Sequence, residues 1–186
     1  MDFSEAEKAV LKEVGQTLER VDSAGVDEIV QFLEQAGSVF VAGAGRSGLM
    51  IRSFAMRLAH LGRSVQVVGD VTTRGIGHGD VLLVASGSGE TRAILTLAQS
   101  AIENGAKVGV ITIFPESSLA RLAECRVLIP APTPKSGQDS PATSIQPMGT
   151  LFEQSLLLTL DAMVMMLMEK LGQTSEQMFK LHANLE

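Results

Sequence analysis

Ser86-Gly-Ser-Gly-Glu-Thr91 lies between a strand-like run, Asp80-Val-Leu-Leu-Val-Ala85, and a helical run, Arg92 to Glu103. A strand that becomes a helix through glycines and hydroxyls has a definite physical character. Gly87 and Gly89 let the backbone turn sharply and let a ligand come close to it. The first amides of the helix lack intrahelical partners and carry the positive end of its dipole. Ser86, Ser88 and Thr91 add hydroxyls at the same point. The combination suits a small anion, above all a phosphate. It also suits a plainly capped helix with Ser88 as N-cap, so this stretch alone leaves both readings open.

A second loop of the same kind, Gly43-Ala-Gly-Arg-Ser-Gly48, follows the apolar run Ser38 to Ala42. Further strand-like runs are Ser64 to Val68, Lys107 to Ile113 and Arg126 to Ile129. Most are apolar without alternation, the mark of strands buried on both faces, and most are separated by helical runs. The pattern predicts an α/β fold: a doubly wound, five-stranded parallel sheet with helices on both faces. In the flavodoxin-like order 2-1-3-4-5, strands one and three are neighbours where the winding reverses, and ligands bind beyond their carboxyl ends. That order gathers Ser47, Ser86, Ser88 and Thr91 around one crevice. Gly43-x-Gly45-x-x-Gly48 also matches the dinucleotide fingerprint. That reading wants an acidic residue at the end of the second strand, and Asp70 is a poor match for it. Two hydroxyl-rich loops suit a compact phosphate monoester better than a long dinucleotide.

The remaining chain frames this sheet. Glu5 to Val21 has helical apolar spacing through Val10, Leu11, Val14 and Leu18, and a shorter helix is expected over Val26 to Ala36. Gly69 to Gly79 is too short for much helix and reads as a loop. Pro130 to Gly149 holds five of the six prolines, and reads either as a lid over a site or as a plain crossover. A long apolar helix, Thr150 to Leu171, and a short one, Ser175 to Asn184, close the chain. The methionines of the long helix, Met163, Met165, Met166 and Met168, mark core or interface packing, and the apolar residues around much of the helix favour a subunit interface.

The 186 residues, 45% of them hydrophobic, fit one domain over 1–186 with helical additions at both ends. A net charge of −6 and a pI near 5.1 argue against a nucleic-acid or anionic-membrane surface. Leu156 to Met168 is shorter than the ~20 apolar residues of a membrane span and includes Thr159 and Asp161, so no membrane is expected. The single cysteine, Cys125, allows no intrachain disulfide and fits a reducing cytoplasm. No Cys/His cluster has metal-ligand spacing, so no metal is expected.

Gly43-Ala-Gly-Arg-Ser-Gly48 and Ser86-Gly-Ser-Gly-Glu-Thr91 resemble the two loops of the SIS (sugar isomerase) domains. With Pro147-Met-Gly-Thr-Leu-Phe-Glu153 and His182-Ala-Asn-Leu-Glu186, nearly the whole chain resembles the 6-phospho-3-hexuloisomerases of that family. Arg74-Gly75 stands where the family has Pro-Ala. The resemblance implies interconversion of D-arabino-hex-3-ulose 6-phosphate and D-fructose 6-phosphate, in the ribulose monophosphate route of formaldehyde fixation. It further implies no cofactor and a homotetramer.

Moving a carbonyl between carbons 2 and 3 needs a base for a carbon-bound proton and a group that manages charge on the enediolate oxygens. The resemblance assigns the base to Glu153. Thr150-x-x-Glu153 is equally a helix capping box. The resemblance also brings in His182 for proton transfer between oxygens or ring opening. Arg46 can bind phosphate or stabilise an oxyanion; the bland alternative is a solvated loop charge. The expected site is therefore Glu153 and His182 as catalytic residues, with Arg46, Ser47, Ser86, Gly87, Ser88 and Thr91 binding substrate. Three other functions compete: an isomerase of another ketose or aldose phosphate, a non-catalytic sugar-phosphate sensor, disfavoured by the lack of a basic DNA-binding segment, and a nucleotide-dependent oxidoreductase, weakened by the second serine loop.

Overall fold

A computed structural model describes residues 1–132 and 143–185. Its elements, in chain order, are α1 (Phe3–Leu18), α2 (Ser23–Glu34), β1 (Val39–Gly43), α3 (Gly45–His60), β2 (Val65–Val67), β3 (Val81–Ala85), α4 (Arg92–Glu103), β4 (Lys107–Thr112), α5 (Ser118–Leu122), β5 (Cys125–Leu128), α6 (Thr150–Lys170) and α7 (Ser175–Lys180). All strands pair in parallel, in the order β2-β1-β3-β4-β5, as the sequence pattern predicts. β1 and β3 run in register from Val39 opposite Val81 to Gly43 opposite Ala85. The two glycine–serine loops therefore leave the sheet side by side.

Both sheet faces are covered, which is why the strands read as unbroken apolar runs. Alternate residues point to opposite faces. Val39, Val41, Val81, Leu83 and Ala85 pack with Ile29 and Leu33 of α2, Ile51, Phe54 and Leu58 of α3, and Leu156, Leu160 and Met163 of α6. Phe40, Ala42, Leu82 and Val84 face the other way, onto Ile94, Ala98 and Ala101 of α4 and Leu119 of α5. β2, at the sheet edge, is only partly buried.

Three features depart from the sequence reading or refine it. First, β4 and β5 are joined by the five-residue α5, too short to show a helical apolar period. Ser117 caps it, accepting from Ala120 N. Second, the 69–79 connection forms no helix, as expected, and Arg74 has a structural task there. Its guanidinium donates to both carboxylate oxygens of Asp80, at 2.9 and 2.8 Å, and to Ser38 Oγ at 2.8 Å. It also lies 5.1 Å from the centroid of the Phe40 ring. Ser38 and Asp80 immediately precede β1 and β3, so Arg74 stands at the amino ends of the strands, away from their carboxyl-end loops. Third, α6 has the length and composition of a membrane span, but half of the apolar window lies inside the protein, as a core helix does. Its methionines divide: Met163 is fully buried, Met166 and Met168 pack against the core, and Met165 is 71% exposed. Of the proline-rich stretch read either as a lid or as a plain crossover, residues 133–142 lie outside the described residues.

Candidate functional site

At the carboxyl ends of β1 and β3 the chain leaves a crevice of about 510 Å³. Its lining comes from Ala44 to Ser47, Ser86 to Ser88, Thr91, and the turn from Pro147 to Glu153, with Ile113 at one side. Three helices start at its rim: α3, α4 and α6. None has a side-chain cap at its N-terminus, whereas α1, α5 and α7 do. The first amides of the three rim helices have no side-chain cap, which is also true of α2 away from the rim, and at the crevice their dipoles favour an anion.

The glycine–serine loop is a tight turn held by its own hydroxyls. Ser86 Oγ lies 3.1 Å from Thr91 Oγ1 and accepts from Gly89 N at 3.2 Å. Gly89 has φ +64°, and a Cβ there would run into the Ser117 side chain. The capping alternative for Ser88 does not hold. Thr91 is the N-cap of α4, and Ser88 Oγ accepts only from Glu90 N, at 3.2 Å, within the loop. Ser88 is left lining the crevice. Glu90 turns away and receives Ser118 N at 2.7 Å and Ser118 Oγ at 2.8 Å. Those bonds at the start of α5 hold its carboxyl below the usual carboxylate range.

The first loop explains its glycines by packing. A Cβ on Gly48 would sit 2.6 Å from the Gly43 carbonyl oxygen, and one on Gly43 would sit 3.0 Å from Gly48 Cα. The end of β1 and the first turn of α3 touch backbone to backbone, so both positions require glycine. The acidic residue sought for a dinucleotide, Asp70, accepts from Arg52 Nη2 at 2.6 Å and is not part of the crevice lining. Ser47 is buried at the rim.

Arg46 and Glu153 meet across the crevice, Nη1 to Oε2 at 3.2 Å. Their side chains are 46% and 18% exposed, so the carboxylate is the more enclosed partner and the guanidinium the freer one. The capping-box reading of Glu153 fails on geometry. Gly149, not Thr150, is the N-cap of α6, and Thr150 Oγ1 donates to Pro147 O at 2.6 Å. Glu153 sits in the first helical turn with its carboxylate directed to Arg46. Phe152 and Ile113 flank Gly87 and form an apolar wall. The sequence reading missed this wall, because single apolar residues carry no signal apart from the core pattern. The Arg46–Glu153 pairing was also missed, since it joins residues 107 positions apart.

His182 is not brought to this crevice within one subunit. Its ring lies 5.2 Å from that of His60 and 6.0 Å from Phe179. His60 ends α3 while Arg46 and Ser47 begin it, and a helix of that length spans roughly 20 Å. Burial, Arg57 and His182 together push the His60 imidazole below its ordinary pKa. Cys125 is no nucleophile: burial, with Glu124 and Glu28, pushes its thiol up to about 12. Among the described residues, no group of three His, Cys, Asp or Glu could hold a metal ion.

A parallel 2-1-3-4-5 sheet with two hydroxyl-rich loops at its switch point defines a doubly wound α/β domain, and the chain belongs to the SIS domain family, whose model matches residues 32–158. Within it, the chain is 40% identical to the 3-hexulose-6-phosphate isomerase of Bacillus subtilis, over the full length of both chains. It is 44% identical to the enzyme of the same name from Mycobacterium gastri, covering 95% of this chain and 88% of that one. A Methanococcus jannaschii protein, whose structure was taken to infer a 3-hexulose-6-phosphate isomerase function, superposes with a TM-score of 0.83 at 29% identity, over 98% and 99% of the two chains.

Proposed function

We propose that the chain catalyses the interconversion of D-arabino-hex-3-ulose 6-phosphate and D-fructose 6-phosphate. The observation that carries this reading is the pairing of Arg46 and Glu153 in the crevice that holds the hydroxyl loops. A carboxylate and a cation beside two hydroxyl-rich loops support a sugar phosphate as the guest. The phosphate binds the free amides of α3 and α4 and the hydroxyls of Ser47, Ser86, Ser88 and Thr91, with Gly87 admitting it close to the backbone. Glu153 takes the proton from carbon 2 of the 3-ketose, and the electron pair forms the carbon 2–carbon 3 enediolate. A proton then returns to carbon 3, while the hydroxyl proton on oxygen 2 passes to oxygen 3, leaving the 2-ketose. Arg46 offsets the enediolate charge. Binding of the substrate's anionic groups frees Arg46 from Glu153 and leaves the carboxylate available as a base.

His182 fits the oxygen-to-oxygen transfer only if a neighbouring subunit supplies it, since its own subunit holds it at the far end of α3. This reading takes the protein as a homotetramer working in the cytoplasm, within formaldehyde fixation through ribulose monophosphate. Residues 1–186 act as one domain, supported by α1, α2, α6 and α7 packing on the core that the family model spans. The test is direct: purified protein is given D-fructose 6-phosphate and the 3-ketose is measured by its aldol cleavage to formaldehyde and a pentulose phosphate. No 3-ketose formed, with D-fructose 6-phosphate still bound, would leave a sugar-phosphate sensor as the better reading.

A further inference from the structure

Glu13 lies on α1, remote in sequence from every residue of the crevice, and its carboxylate is fully engaged. Oε2 accepts from Ser144 Oγ at 2.8 Å and from Gln146 Nε2 at 3.0 Å, and Oε1 accepts from Ile145 N at 3.0 Å. Ser144 Oγ in turn accepts from Gln146 N at 3.0 Å. Three consecutive residues are thus fastened to one carboxylate. Burial pushes that carboxyl's pKa up, but the bonds from Ile145, Gln146 and Ser144 outweigh it and hold it below its ordinary value.

Immediately after Gln146 the chain becomes the crevice wall. Pro147 O accepts from Thr150 N at 3.2 Å and from Thr150 Oγ1 at 2.6 Å. Gly149 O accepts from Glu153 N at 3.0 Å. Between them, Met148 has φ +56°, the one non-glycine residue with positive φ among those described. A left-handed backbone at a residue with a long side chain is strained, and persists only when its surroundings impose it. Burial of Met148 itself does not impose it, since the side chain is 79% exposed. The constraint comes from the flanking bonds: the Glu13 clamp before it and the Pro147–Thr150 turn after it.

We propose that Glu13 is a positioning residue, which clamps 144–146 and so fixes the strained turn that aims Glu153 across the crevice at Arg46. The proposal rests on the reading of Glu153 as the base. Glu13 touches no substrate and acts only through the wall.

The variants Glu13→Ala, Glu13→Gln, Ser144→Ala and Glu153→Gln are compared by steady-state kinetics on D-fructose 6-phosphate, binding of inorganic phosphate and thermal melting. Glu13→Ala should lower kcat at least tenfold while KM and phosphate affinity stay within about threefold, because the phosphate loops do not depend on the clamp. Glu13→Gln should recover most of kcat. Its carboxamide oxygen can receive Ile145 N, while Ser144 Oγ and a flipped Gln146 amide can receive its NH2. Ser144→Ala, which removes one of the three bonds to the carboxylate and the bond from Gln146 N, should fall between, and it serves if Glu13→Ala does not fold. The proposal is overturned if Glu13→Ala keeps wild-type kcat. It is equally overturned if Glu13→Gln is as impaired as Glu13→Ala, or if kcat and phosphate affinity fall together in step with melting temperature. If Glu153→Gln turns over normally, the base assignment fails, whatever Glu13 does. If Glu153→Gln is inactive and Glu13→Ala is not impaired, only the clamp fails.

Discussion

Glu153 shows how much one residue's surroundings decide. In sequence it fits both a base and a capping-box glutamate, and only the position of Gly149 as N-cap separates the two. Glu153→Gln should cut turnover by about two to four decades, with D-fructose 6-phosphate binding retained in calorimetry; near-normal turnover would return Glu153 to a structural role. Ser88→Ala should raise KM by roughly one to two decades through loss of a charge-assisted hydrogen bond. An unchanged KM in Ser86→Ala, Ser88→Ala and Thr91→Ala alike would remove the phosphate from this loop. Gly89→Ala combines a left-handed backbone with a collision at Ser117, and should cost about 1–3 kcal/mol of stability, read from denaturant midpoints. The hydroxyls were legible in sequence because helix starts and phosphates make the same demand on residue type. The partner of Glu153 was not, because a contact across the crevice leaves no local trace.

At the level of elements, strands and long helices were readable from apolar runs, and boundaries moved by only a few residues. α5 escaped because one and a half turns establish no period. The 69–79 loop was placed correctly, but its most telling residue, Arg74, was read against a family pattern rather than against its neighbours. It locks the amino ends of β1 and β3 through Asp80. The Arg74 guanidinium, with Gly77 N, holds the Asp80 carboxyl below its ordinary value despite burial. A depressed carboxylate adds stability that is complete above the ordinary carboxylate range and is lost as pH falls through the lower, folded value. Acid titration of unfolding free energy should therefore show a slope in that window, and Asp80→Asn should lack it. A slope of equal size in the variant would assign the acid sensitivity to other carboxylates.

For the whole molecule, the sequence suggested an assembly without showing its geometry. Leu158 and Met165 on α6, and Leu11 on α1, are exposed apolar side chains on helices that pack against one another, and they suit a subunit contact. Sedimentation at micromolar protein should give a tetramer; a monomer would count against both the contact and any role for a neighbour's His182. If His182 works across subunits, mixing inactive Glu153→Gln protein with inactive His182→Ala protein, under conditions that exchange subunits, should restore part of the activity. No recovery despite demonstrated exchange would exclude that division of labour. His182 was legible as a candidate only through its motif. Its distance from the crevice is a tertiary fact, set by α7 folding back onto the end of α3.

α6 also bears on how the protein is made. The helix brings Glu153 to the crevice and also Phe152, Leu156, Leu160 and Met163 to the larger core. It follows all five strands in chain order. A nascent chain can complete all five strands and both hydroxyl loops while an apolar face of the sheet and α3 still lacks its cover. Competence to turn over substrate and release from chaperone surveillance should then arrive together, with the same helix. A chain stalled at residue 149 should remain protease-sensitive and ribosome- or chaperone-bound, whereas one extended past Lys170 should become resistant. Equal resistance at both lengths would show that the sheet closes without it.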